Sequence, residues 1–290
     1  MYDINECPIC GHKELTQVRE GYYFRGNRKN FTIKECRGCN LWITTPRPDE
    51  GELDDYYNTD DYVSHTDGSK GVMDVVYNMV RNYAVKAKLN LLESFINKGS
   101  LLDYGAGTGV FMQGAKKRGW KVKGIEVNPL ARENAAARGL ELFGPEYLDK
   151  IAKESFEAIT LWHVLEHLDN PLEWTKTFAE KLKPGAVLIY ALPNHESLDS
   201  KIYGNDWAAL DLPLHLYHFK KKNISDLAKA SGLIVEGIHN MPFDAFYVSM
   251  LSEKNRGGSI LKAFWNAWKS NAAGRVGQNQ SSLIYVLRKP

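Results

Sequence analysis

The chain has 290 residues, 43% of them hydrophobic and 25% charged, with a net charge of +2. That length supports one sizeable core plus a small accessory module, and nothing in the near-balanced charge suggests a polyanionic partner for the molecule as a whole. No apolar run reaches the roughly 18 residues of a membrane-crossing helix, and the N-terminus, with Asp3 and Glu6, lacks a secretory apolar core, which points to a cytoplasmic globular protein.

All four cysteines fall in the first 39 residues, as two C-x-x-C pairs: Cys7 with Cys10, and Cys36 with Cys39. Each pair can form a knuckle with two thiolates aimed at one metal, and two knuckles complete a tetrahedral four-thiolate zinc site. Disulfides do not suit a chain without a secretion signal, and a redox C-x-x-C would not come duplicated. Four thiolates fill such a site, leaving nearby His12 a spectator and the metal a structural role. LTQVREGYYF and NFTIKE, between the knuckles, read as the strands of a zinc ribbon over residues 1–46. A module that small depends on its metal to stay folded.

Residues 47–98 read as a helical linker. Pro46 and Pro48 break the strand, and Asp49 N-caps a short acidic helix carrying Leu53, Tyr56 and Tyr57. From Gly71 to Asn97 the spacing of Val75, Met79, Tyr83, Ala87 and Leu91 predicts one or two helices.

Ser100 to Phe111, SLLDYGAGTGVF, organises the rest of the chain. A short buried strand leads into Asp103, three alternating glycines (Gly105, Gly107, Gly109) and a helical pattern from Val110. Such a turn is where α/β proteins hold nucleotide-like cofactors. The dinucleotide fingerprint G-x-G-x-x-G fails here by one residue. Strand and helix then alternate, predicting a parallel sheet covered on both faces. KVKGIEVN ends at Glu126, placed to accept hydrogen bonds from ribose hydroxyls, and Asn128-Pro129 opens a helix. Further strands are expected near Leu140 to Phe143, at FEAITLW, AVLIYALPN, GLIVEGIHN and SSLIYVLRK. His163, Glu166 and His167 match the H-x-x-E-H of inverted zinc proteases, but His163 lies at a strand end, where the two histidines do not share a helical face. Between residues 195 and 222 lies an insertion crowded with Asp206, Trp207, His215, Tyr217 and His218. Histidine can take a proton from an acceptor near neutral pH, or simply anchor the next helix. The basic, amphipathic segment 257–275 carries Ile260, Leu261, Phe264, Trp265 and Trp268 on one side, a stripe that could meet a membrane surface or a partner but is expected to pack on its own domain or cap the active site.

An acid two residues before the first glycine, together with V-L-E-H after the fourth strand, resembles the class I S-adenosylmethionine-dependent methyltransferases. The resemblance implies a doubly wound, Rossmann-like, mostly parallel seven-stranded α/β sheet over residues 99–290 and S-adenosylmethionine as cofactor. Asp103 would sit near the cofactor's ammonium, with Tyr104, Gly105, Ala106, Gly107 and Gly109 against the ligand. Glu126 and Val127 would serve the ribose end, Trp162 and His163 the methionine portion, and His167 the side of the methyl group. The insertion would cover the cofactor and build the pocket of a small-molecule acceptor, with His215, Tyr217 and His218 as candidate catalytic groups beside His167. A zinc ribbon joined to this domain is loosely similar to the C-methyltransferases of nucleotide-linked sugars. An RNA methyltransferase and a non-catalytic binding module are the alternatives. Residues 1–50 hold 8 basic and 7 acidic side chains, too even a balance for a nucleic-acid surface.

Overall fold

The computed structural model describes residues 1–26, 28–49, 51, 52, 56 and 72–290, with the backbone alone over 72–78. Leu53 and Tyr57 of the expected acidic helix, and the side chain of Val75, lie outside the described residues.

Three antiparallel strands open the chain, β1 (Leu15–Tyr22), β2 (Asn30–Cys36) and β3 (Trp42–Thr45). A single 24-residue helix, α1 (Val72–Phe95), then leads into β4 (Ser100–Tyr104). There follow α2 (Val110–Lys117), β5 (Lys121–Ile125), α3 (Pro129–Ala136), β6 (Leu142–Phe143), α4 (Tyr147–Lys150) and β7 (Phe156–Trp162). Next come α5 (Pro171–Lys181), β8 (Leu182–Pro193), α6 (Leu198–Tyr203), β9 (Tyr217–His218) and α7 (Lys221–Ala230). The chain closes with β10 (Ile234–Asn240), α8 (Asp244–Asn255), α9 (Ile260–Gly274) and β11 (Ser282–Arg288).

Seven strands form the large sheet in the order β10-β11-β8-β7-β4-β5-β6. β8, β7, β4, β5 and β6 run parallel, and β11 pairs antiparallel with β8 and β10. The parallel strands are buried on both faces, which is why Leu101 and Leu102 are both fully covered although they point opposite ways. One face packs Leu102, Leu161, Phe178 and Leu227 together. The other packs Leu101, Phe111, Trp120 and Leu89 of α1.

Four further details bear on the site and its surroundings. The small sheet has a fourth strand: β9, from the 195–222 insertion, pairs with β3 and joins the cysteine module to the large domain. Glu166 and His167 fall in a single 3-10 turn, Leu165–His167, and start no α-helix. β10 and β11 pair as a hairpin would, but two helices, α8 and α9, are spliced between them. Finally, α9 turns its aromatic residues outward.

Candidate active site

Four backbone turns at the C-terminal ends of β4, β5 and β7 and in the insertion converge on one region, the place where open α/β sheets bind ligands. After β4 the chain reverses through Gly105 (φ 73°) and Gly109 (φ 76°). A Cβ on Gly105 would lie 2.4 Å from Val164 Cγ2, and one on Gly109 2.5 Å from Leu140 Cδ1. Both positions therefore exclude side chains by space as well as by backbone angle. Around Gly107 a Cβ would meet no atom within 4 Å, so the tip of the turn is open to a ligand.

Asp103 ends β4 and is almost wholly buried, accepting a 2.7 Å hydrogen bond from Thr160 Oγ1 on β7. Burial pushes its carboxyl up to about 7, against the opposing pull of Thr160 and the Lys88 ammonium. Lys88, on α1, lies 4.2 Å from the centre of the Trp162 ring and shares the field of Asp103 and Asp244. Trp162 is braced edge-on by Phe111, and its buried Nε1 has no hydrogen-bond acceptor among the described residues. Glu126 accepts from the backbone N–H of Gly107 at 2.8 Å and of Asn128 at 2.9 Å, tying the glycine turn to the start of α3. Val127 beside it is 60% exposed, an apolar lip next to that carboxylate. The side chain of Tyr104, expected at the ligand, packs instead into the core against Trp174 and Phe178. Only its backbone belongs to the turn. Ala106 is half-buried, packed against the small cluster of Met112, Ala135 and Leu140.

His163, just past β7, adopts φ 59°, a left-handed conformation rare outside glycine and enriched at functional sites. Its Nε2 meets Asp244 Oδ2 at 2.9 Å and its Nδ1 meets Glu166 Oε1 at 3.5 Å. Burial lowers the imidazole's affinity for a proton, but the Asp244 and Glu166 carboxylates outweigh it and hold His163 up at about 9. A histidine raised in this way adds stability that is complete below its unfolded pKa of about 6.5 and is lost as pH climbs through 9. Thermal unfolding should therefore show a fall in Tm between pH 6.5 and 9, which Asp244→Asn flattens. An unchanged slope in that variant would remove the ion pair from the account.

Glu166 is fully buried, and neither carboxylate oxygen has a hydrogen-bond donor in proper range among the described residues. Burial favours its neutral form, yet His163 and the nearby histidines hold its pKa below the usual carboxylate value, so it stays ionised. His167 and His215 stand edge to face, with ring centres 4.7 Å apart. His167 Nδ1 faces Leu214 O at 3.1 Å and His215 Nδ1 faces Ala209 O at 2.9 Å. In the tautomer that donates Nδ1–H to these carbonyls, Nε2 is the ring's remaining acceptor position. A carboxylate oxygen and two ring nitrogens of Glu166, His167 and His215 lie within 4.8 Å of one another. Such a set can take a proton from a hydroxyl or hold a divalent cation.

Two expected catalytic groups, Tyr217 and His218, are buried and held by neighbouring groups. Tyr217 is buried, its hydroxyl accepting from Arg47 Nη1 at 3.1 Å and donating to Asp169 O. The Arg47 guanidinium also lies over its ring at 4.4 Å. His218 is buried with Nε2 3.1 Å from Thr44 Oγ1, and burial and neighbouring cations hold it neutral. His218 thus ties β9 to Thr44 of β3, and Tyr217 ties it to Arg47 and Asp169. Sequence reasoning missed Lys88, Asp244 and Thr160, which carry no local motif and reach the site only through tertiary packing.

The four cysteines form a separate centre. Their Sγ atoms all lie within 4.8 Å of one another, with Cys7 to Cys39 at 3.6 Å and Cys10 to Cys36 at 3.5 Å. Four thiolates around a zinc ion at about 2.3 Å would be roughly 3.8 Å apart, so the donor set fits the ion. Each knuckle is closed by a 2.8 Å backbone hydrogen bond, Gly11 N–H to Cys7 O and Asn40 N–H to Cys36 O. A Cβ on Gly38 would lie 3.1 Å from Cys10 Sγ, which keeps that position bare.

Residues 77–236, from α1 through the start of β10, match the family described as a methyltransferase domain. The chain belongs to that methyltransferase family. Among curated relatives, a ubiquinone biosynthesis O-methyltransferase of Stutzerimonas stutzeri is 26% identical over 158 residues, covering 50% of this chain and 68% of that protein. A protein of the same name from Xanthomonas oryzae is 28% identical over 153 residues, 49% of this chain and 62% of its own length. The chain thus spans about two thirds of the length of these relatives. Two solved structures share the fold. The SAM-dependent methyltransferase from Archaeoglobus fulgidus has TM-score 0.52 at 18% identity, covering 72% of this chain and 94% of its own. The geranyl diphosphate C-methyltransferase from Streptomyces coelicolor, solved with S-adenosyl-L-homocysteine, has TM-score 0.50 at 17% identity, covering 71% and 76%.

Proposed function

We propose that this methyltransferase moves the methyl group of S-adenosylmethionine to a hydroxyl of a small metabolite bound between the insertion and the sheet. The observation that carries the reading is the convergence of Glu166, His167 and His215. A buried carboxylate and two imidazoles meet there, and protonated His163 is the nearest charged donor to Glu166, at 3.5 Å. A hydroxyl can donate its proton to such a set. S-adenosylmethionine, when bound, supplies an activated methyl on a sulfonium. Asp103 would bind its ammonium, the open edge of Gly107 would admit its backbone, and Glu126 would stand at its ribose. His215, held by Ala209 and with Nε2 as its remaining acceptor position, is oriented to take the acceptor's proton, with ionised Glu166 stabilising the imidazolium that results. His167, pushed down to about 4 by burial and by His215, stays neutral and positions rather than protonates. The cysteine centre would hold a structural zinc and take no part in the transfer.

Nucleotide-linked sugars, suggested by the ribbon, and intermediates of ubiquinone biosynthesis, suggested by the relatives' names, are the first acceptors to test. Calorimetric titration with S-adenosylmethionine should show binding where NAD shows none. With a turned-over acceptor in hand, His215→Ala should lower kcat by about 10²–10⁴ while leaving cofactor affinity intact. Full activity in that variant would remove His215 from the chemistry. Turnover of RNA and of no metabolite would replace the acceptor class.

A further inference from the structure

We propose that the outer face of α9 docks the protein onto an anionic lipid bilayer. The helix is amphipathic the wrong way round for a soluble domain. Its buried positions are Ala263, Ala267, Ser270 and Gly274, small residues four or three apart that let the helix lie close against its own fold. Its large apolar residues point outward, with Leu261 79% exposed and Ile260, Phe264, Trp265 and Trp268 each more than half exposed. The two tryptophans stack at 5.3 Å. Phe264 meets Phe246 of α8 at 5.6 Å, and Phe243 and Met250, before and on that helix, are each more than a third exposed. An exposed aromatic patch of this kind marks a surface made for a partner.

Charge selects the partner. Residues 254–276 carry Lys254, Arg256, Lys262, Lys269 and Arg275 and no acidic side chain. Arg256 pairs with Glu253, and Lys269 lies 5.1 Å from the Trp265 ring centre, leaving four cations without a carboxylate in range among the described residues. Protein interfaces are depleted in lysine. Tryptophan beside lysine is instead the composition of helices that lie in the headgroup region of anionic membranes. The face is long enough to lie flat, and among the described residues no helix is long and apolar enough to cross a membrane. The proposal stands apart from the acceptor reading, since it concerns where the protein sits and not which atom is methylated.

The test is co-sedimentation of the full chain with vesicles of phosphatidylcholine alone or with about 30% phosphatidylglycerol, enough to give the surface the negative potential of an anionic leaflet. The wild type should pellet with the anionic vesicles and largely escape the neutral ones, and added salt should weaken the binding. Trp265→Ser with Trp268→Ser should lower the bound fraction about tenfold or more at unchanged Tm, since both side chains are outside the core. Lys262→Glu with Lys269→Glu should abolish the preference for anionic lipid. A wild type that stays in the supernatant with both vesicles overturns the proposal. So does a dimer, seen by sedimentation velocity, that the tryptophan variant dissolves while vesicle binding is nil, because the face would then belong to a second copy.

Discussion

Asp103→Ala is expected to weaken S-adenosylmethionine binding by about 100- to 1,000-fold. The carboxylate is almost fully buried, so a cofactor ammonium reaching it would form a pair shielded from water. Breaking one partner of a buried pair costs about 3–5 kcal/mol, and every 1.4 kcal/mol is about tenfold in Kd. Two features of the free protein temper the gain on binding. The carboxyl is held up at about 7 by burial, so near neutrality a sizeable share of molecules carry it protonated. Lys88 already lies in its field and must share or yield that position. Since only ionised Asp103 attracts the ammonium, affinity should rise as pH increases from about 6 to about 8, and the Asp103→Asn variant should lose both affinity and pH dependence. Calorimetry at three pH values reads both. Unaltered affinity in Asp103→Ala would dismiss the ammonium site and revive a binding module with some other ligand.

The second large effect is expected at the cysteines. Cys36→Ser, or removal of metal by a chelator, should unfold the N-terminal sheet and inactivate the enzyme together. Zinc binding in small four-ligand modules is worth about 10–16 kcal/mol of folding free energy at neutral pH, as much as a domain's whole net stability. The loss should not stop at residue 46, because β3 pairs with β9 and the backbone N–H of Thr44 donates to Leu216 O, next to β9, at 3.1 Å. Thr44 Oγ1 also donates to His215 O at 2.6 Å, so the same strand steadies a residue of the proposed pocket. Elemental analysis should return one zinc per chain, and His215-dependent turnover should fall in step with zinc content. A fully active, metal-free Cys36→Ser protein would contradict the coupling.

How much of this was legible in the sequence follows a physical line. The glycine turn, the strands of the large sheet and the cysteine knuckles were readable because each is encoded within a dozen residues, by spacing and burial pattern. The insertion was not. His215, Tyr217 and His218 are close in sequence and alike in chemistry, yet the chain's path sends His215 toward Glu166 and the other two toward Thr44 and Arg47. No local pattern distinguishes those fates. Lys88 and Asp244 arrive from helices far from His163 in the chain, one on either side, so only the folded packing reveals the three together. For α9 the periodicity was right and its direction reversed, because the stripe of small residues fits the crowded interior better than the tryptophans do.

The two-residue strand β9 makes this protein hard to cut. A fragment beginning after residue 46 would keep every residue of the large sheet and the glycine turn, but it would lose Trp42 and Ile43, leaving Tyr217 and His218 as bare edge backbone. It would also take Thr44 O from the Arg47 guanidinium that braces Tyr217. Asn223, which donates to Cys39 O at 2.8 Å, would be left with an amide facing empty space. Such a fragment should aggregate or bind cofactor poorly for reasons unrelated to catalysis. The two modules are therefore stitched together by β9, and cutting between them strips partners from both sides of that seam.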